Sequence, residues 1–84
     1  QAVAKCLVGS FAYSGQVCIH VQRIYVQDTV FDKFIDLFKK GTNNLKFGSP
    51  LDDDTEISSM IDETNAMRVE EWVNDAVAAG AKVL

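Results

Sequence analysis

The chain has 84 residues, 48% apolar and 24% charged, and carries a formal charge of −4. That length suits one small domain near the lower limit at which a single core holds itself together, and the composition is globular rather than disordered. The acidic balance, with Lys39-Lys40 as the only adjacent basic pair, argues against nucleic-acid binding; nothing approaches the roughly 18 apolar residues of a membrane span, nor a signal peptide.

In chain order, Ala2–Tyr13 reads as a helix. Ala2, Val3, Cys6, Leu7 and Phe11 fall on overlapping i, i+3, i+4 positions, so most of its surface is apolar. Ser14-Gly15 loosens the pattern, and Gly15 is a natural stop. Ile19–Val26 is rich in β-branched and aromatic residues and reads as a strand. Asp28-Thr29 supplies an N-cap, and Thr29 with Asp32 approximates a capping box. Val30, Phe31, Phe34, Ile35, Leu37 and Phe38 then give one apolar helix face, ending at Gly41 or one turn later at Leu45. Gly48-Ser-Pro50 is a turn and Asp52–Glu56 an acidic loop. After a short Met60-Ile61 element, Asp62 caps a third helix with Met67, Val69, Trp72, Val73, Ala76 and Val77 on one face, closed by Gly80. Lys82-Val-Leu84 reads as another strand. Phe31, Phe34, Phe38 and Trp72 recur at helical spacing, which favours core packing over an aromatic binding box.

Strand, helices and strand again is a crossover pattern, predicting an α/β fold with a mainly parallel sheet and no separate second domain. The chain opens on Gln1 inside a helical pattern and closes on the start of a strand, so both ends look continuous with a longer polypeptide. Cys6 and Cys18 have no metal spacing and are too few for a disulfide framework. A reduced pair in the cytoplasm or mitochondrial matrix is the expectation, with a single bridge as the alternative.

Cys18 is the candidate for chemistry. A cysteine in an apolar stretch is ordinarily a small buried hydrophobe. Here it follows a Gly-Gln turn at a helix-to-strand joint, where a thiol can face a cleft and act as a nucleophile. His20 would share its strand face, but a Cys-His dyad needs closer convergence and an orienting third group. Arg23 suits a structural ion pair better than substrate contact. Asp52-Asp53-Asp54 with Glu56 lacks the calcium-loop glycine, since Ile57 stands at the sixth position, and reads as a solvated loop.

Gly15-Gln16-Val17-Cys18, with Phe11 seven residues before the cysteine and Arg23 five after it, resembles the active-site signature of the aldehyde dehydrogenase superfamily. The likeness continues through Arg23-Ile-Tyr-Val26, Asp32-Lys-Phe34, Gly48-Ser-Pro50, Thr55-Glu56, Met60-Ile61 and Gly80-Ala-Lys-Val-Leu84, and so spans essentially the whole chain. Two departures stand out: Ser58-Ser59 where many members have Gly-Pro, and His20 where members more often carry a small residue, close enough to alter substrate preference.

The resemblance implies part of a three-layer α/β catalytic domain in which Cys18 attacks an aldehyde to give a thiohemiacetal. Hydride passes to NAD or NADP, and the resulting thioester is hydrolysed to a carboxylic acid. The Cys18 N–H and an asparagine would stabilise the oxyanion and a glutamate would activate water. In the family the asparagine, that glutamate and the nucleotide-binding loops precede this segment, so the isolated chain is expected to be inactive. A homodimer or homotetramer is implied for the whole protein. The competing expectation is a small α/β module that serves only as a structural or interaction fragment.

Overall fold

A computed structural model describes residues 1–84. Three α-helices carry the chain: α1 over Ala2–Phe11, α2 over Asp28–Asn43 and α3 over Glu63–Ala78. The expected α/β architecture with a parallel sheet does not form. More than half of the residues are helical, and the only strand-like pairing is an isolated parallel bridge between Phe47 and Ile57. The physical reason is the lack of a ladder partner. Between Val21 and Val26 the only backbone hydrogen bond is Val21 N–H to Gly9 O, which ties the segment to α1 rather than to a strand. Lys82–Leu84 forms no backbone pairing either. β-Branched residues fit a pleated surface, but they do not create the neighbour it needs.

α1 and α2 meet along a short apolar seam. Leu7 lies against Gly41, the Phe11 and Phe38 rings stand 6.2 Å apart, and Phe34 stacks on Phe38 at 5.8 Å. Beyond this seam the apolar faces are open. No residue is buried, and the chain exposes 7315 Å² where a compact protein of this mass exposes roughly 5,000 Å². The Cα radius of gyration is 14.2 Å, against roughly 12 Å for a compact chain of this length. Two of the four aromatic residues expected in the core lie outside it: Phe31 is 42% and Trp72 62% exposed. α3 contacts neither α1 nor α2, so Trp72 has no apolar partner surface. Its ring instead lies 5.1 Å from the Arg68 guanidinium, a cation–π contact.

The helix ends follow local chemistry with two corrections. α1 stops at Phe11, two residues before the expected end, because Ala12 swings to ψ 135° and Tyr13 enters the left-handed region. α2 is capped by Gln27 without a side-chain bond, so the Thr29–Asp32 box does not form; Asp28 sits in the first turn, where the helix dipole favours a negative charge. Gly41 does not end α2, which runs on to Asn43; its missing Cβ makes room for Leu7 instead. α3 begins as expected: Asp62 Oδ1 accepts from Asn65 N–H at 2.7 Å and from Asn65 Nδ2 at 2.8 Å. The backbone bond from Asn65, then its side chain, then the charge of Arg68 hold the Asp62 carboxyl below its ordinary pKa. At the other end Gly80 takes φ 106°, with Gly80 N–H on Val77 O and Ala81 N–H on Ala76 O. This is a Schellman closure. None of the helices is long and apolar enough to cross a membrane.

Candidate functional site

Two tight turns in succession carry the candidate residue. The first follows α1: Tyr13 (φ 52°, ψ 37°) and Ser14 (φ 55°, ψ 30°) are both left-handed, Gly15 follows at φ 80°, and Gln16 N–H closes on Tyr13 O at 3.0 Å. With Ser14 and Gly15 at its centre, this has the form of a type I′ turn. Glycine adopts such angles freely, but Tyr13 and Ser14 each cost roughly 1–2 kcal/mol there. The second turn spans Val17 to His20 and is closed twice, since His20 N–H and His20 Nδ1–H both donate to Val17 O, at 2.9 and 2.7 Å. A carbonyl only accepts, so Nδ1 carries the proton in this arrangement. Cys18 and Ile19 form the tip of this turn, and both are exposed. The Cys18 N–H donates to no group within the protein.

Non-local ties hold the pair of turns on both sides. On the C-terminal side Val21 N–H donates to Gly9 O at 2.8 Å, and Val21 Cγ2 lies where a β-carbon on Gly9 would come within 2.8 Å. Any larger residue at position 9 would push this segment off α1. On the N-terminal side Ser14 Oγ accepts from Ser58 N–H at 3.1 Å. Ser58 belongs to a loop that is itself closed, with Lys46 Nζ on Asp54 at 2.7 Å and Lys46 N–H on Glu56 at 3.0 Å. Between the first turn and this loop runs a polar groove of about 510 Å³ lined by Tyr13, Ser14, Gln16, Thr55, Glu56 and Ser58 among others.

The structure therefore places Cys18 just past the Gly-Gln turn, but on a second closed turn, Val17–His20, where a strand was expected to begin, and on open surface. It joins a helix to an unpaired segment rather than to a strand, and it does not line the groove beside it. His20 is adjacent in sequence yet makes no hydrogen bond to Cys18; its ring is engaged with Val17. Arg23 is exposed and forms no ion pair, so the structural partner expected for it is absent. In the acidic loop Asp54 and Glu56 are occupied by Lys46. Cys6 lies half-buried on α1, and both cysteines are free thiols. The Ser14–Ser58 tie is among those that sequence reasoning missed; the Ser-Gly pair was its only signal, as a dipeptide that marks turns.

A dinucleotide cofactor needs a glycine-rich turn leading into a helix N-terminus that is free to receive phosphate. α2 opens on Asp28 after Gln27, and α3 opens on Glu63 with the Asp62 carboxylate already accepting from the Asn65 N–H. Both put negative charge where phosphate would sit, so neither fits a dinucleotide's phosphates.

Comparison of the sequence with known proteins points to one family. The model of the aldehyde dehydrogenase family covers residues 1–84. The chain is 43% identical over its full length to a lactaldehyde dehydrogenase of Methanococcus aeolicus, covering 18% of that protein. It is 49% identical over 74 residues, 88% of the chain, to a 3-sulfolactaldehyde dehydrogenase of Priestia aryabhattai, covering 16% of it. Over its full length it is 37% identical to a succinate-semialdehyde dehydrogenase [NADP(+)] of Escherichia coli, covering 17%. The chain thus spans less than a fifth of the length of these relatives. With the cysteine turn and every residue around it inside the family match, the chain belongs to the aldehyde dehydrogenase family.

Proposed function

We propose that the protein carrying this segment oxidises an aldehyde to a carboxylic acid and that Cys18 is its nucleophile. The observation that supports this most is the Cys18 turn: twice closed on Val17 O, flanked by Val21 tied to Gly9 and Ser14 tied to Ser58, with an exposed thiol at its tip and a backbone N–H free of any partner. As a thiolate, Cys18 Sγ adds to the aldehyde carbon. A C–S bond forms and the carbonyl π pair moves to oxygen, where the unengaged Cys18 N–H is an available donor. The overall conversion removes two electrons from the aldehyde as hydride, and NAD or NADP, bound mainly by residues outside these 84, supplies the acceptor. The acyl group held on Sγ as a thioester then passes to water.

The aldehydes in the relatives' names, lactaldehyde, 3-sulfolactaldehyde and succinate semialdehyde, are short and polar, so short polar aldehydes are the substrates to assay first. A homodimer or homotetramer acting in the cytoplasm or mitochondrial matrix completes the reading; one relative is a mitochondrial succinate-semialdehyde dehydrogenase. The test is Cys18→Ser in the full-length protein, followed by reduced-nicotinamide absorbance with such aldehydes. Loss of about a thousandfold or more in kcat, with the fold retained, is expected for removal of a nucleophile. Activity close to wild type would refute the reading.

A further inference from the structure

We infer that Ser14 is a positioning residue for Cys18, its hydroxyl fastening the turn just before the nucleophile's to the loop that carries Ser58; this rests on Cys18 being the nucleophile. Three observations lead there. First, Ser14 occupies the leading central position of a type I′ turn, at φ 55° and ψ 30°, a place that favours Asn, Asp or Gly and is unfavourable for serine. A residue that is locally unfavourable there has to be explained by something other than the turn itself. Second, the Ser14 hydroxyl accepts from Ser58 N–H across 44 residues of sequence. Every other side-chain hydrogen bond in the chain links residues no more than ten apart, so Ser14 supplies the only long-range side-chain tie. Third, the path from Ser14 to the thiol is short and stiff. Gln16 N–H closes on Tyr13 O, and the next turn, Val17–His20, is closed on Val17 O by both the backbone and the ring of His20. A shift of Ser14 away from Ser58 is therefore passed to Cys18 rather than absorbed between them.

The hydroxyl and the left-handed backbone are separable by substitution. Ser14→Ala removes the acceptor and keeps the strain. Ser14→Gly removes the acceptor and relieves the strain. Ser14→Asn tolerates the left-handed angles and returns a side-chain carbonyl that accepts from Ser58 N–H. In the full-length protein, Ser14→Ala and Ser14→Gly are each expected to lower kcat about ten- to a hundredfold with KM little changed, as misplacement of a reacting group does. Ser14→Asn is expected to recover most of that loss. Tm falls in Ser14→Ala and is held in Ser14→Gly, so stability and kcat part company. Full kcat in Ser14→Gly, or failure of Ser14→Asn to recover what alanine loses, overturns the inference. Cys18→Ser, assayed alongside, keeps the two claims apart. If it is inactive while Ser14→Gly is unimpaired, only the role of Ser14 falls; if it is fully active, the nucleophile reading falls and the role of Ser14 falls with it.

Discussion

Gly41 offers a substitution whose sign should depend on a single neighbour. It lies inside α2, where replacing glycine by alanine ordinarily stabilises a helix by about 1 kcal/mol. A β-carbon at this site would run into Leu7 of α1: Cγ and Cδ2 lie 3.3 Å from its position, and Cδ1 is nearer still. The whole isobutyl group would have to move, and forced overpacking of this kind costs about 1–3 kcal/mol. Gly41→Ala is therefore expected to lose about 1 kcal/mol net. In a Leu7→Ala background the obstruction is gone, and the same substitution should gain about 1 kcal/mol. The two sites would then couple by about 2 kcal/mol, well beyond the error of an additive pair. Amide hydrogen exchange across α2 in the full-length protein reads this locally, without requiring the whole molecule to unfold in one step. Protection in α2 should fall with Gly41→Ala in the wild-type background and rise with it in the Leu7→Ala background. The same sign in both would refute the Leu7–Gly41 contact as the point where α1 seats on α2.

Two further outcomes follow from the turn and from the start of α3. His20→Ala removes the ring bond that closes the Cys18 turn a second time, an interaction worth about 1 kcal/mol; kcat should fall several-fold, and an unchanged kcat would mean the backbone bond alone holds the turn. Asp62→Ala should reduce the helicity of α3 at neutral pH, followed by far-UV circular dichroism. The folded-state pKa of Asp62 is lowered by its bonds from Asn65, so its contribution is fully present above the unfolded carboxylate pKa and is lost as pH falls through the lower folded value. The difference between wild type and variant should accordingly vanish in strong acid; a difference that persists there would point to something other than the ionised cap.

What could be read in advance divides by range. α2 and α3 were legible because their signals are local: apolar spacing at 3.6 residues, Asp62 before α3, Gly80 after it. The turn at Gly15 was legible for the same reason, through Ser14-Gly15-Gln16, but the Val17–His20 turn that carries Cys18 was not, because it falls where Ile19–Val26 reads as a strand. The sheet was misread because Ile19–Val26 and Lys82–Leu84 have strand-like side chains but no partner strand in the structure, and a ladder is a property of two segments. Trp72 was misplaced by similar logic. Its periodicity says that α3 has an apolar face, not that α1 or α2 covers it, and neither does. Ser14 went unseen because Tyr and Ser are not residues that announce a left-handed backbone; the tie that makes sense of it comes from Ser58, far along the chain.

The ties at Ser14, Val17 and Val21 bear on how the chemistry is divided within the protein. They fix where Cys18 stands, and all of them are made inside these 84 residues. Shielding is a different matter: the thiol is exposed, no residue of the chain is buried, and the groove beside the turn does not include Cys18. A hole for an oxyanion gains its strength from excluded water and fixed donors together. On the proposed mechanism these 84 residues would contribute the fixed thiol and one free N–H. If Cys18 is the nucleophile, the low-dielectric wall that would make them effective has to come from apolar surface beyond its own turn; within the chain the apolar faces of α2 and α3 stand open.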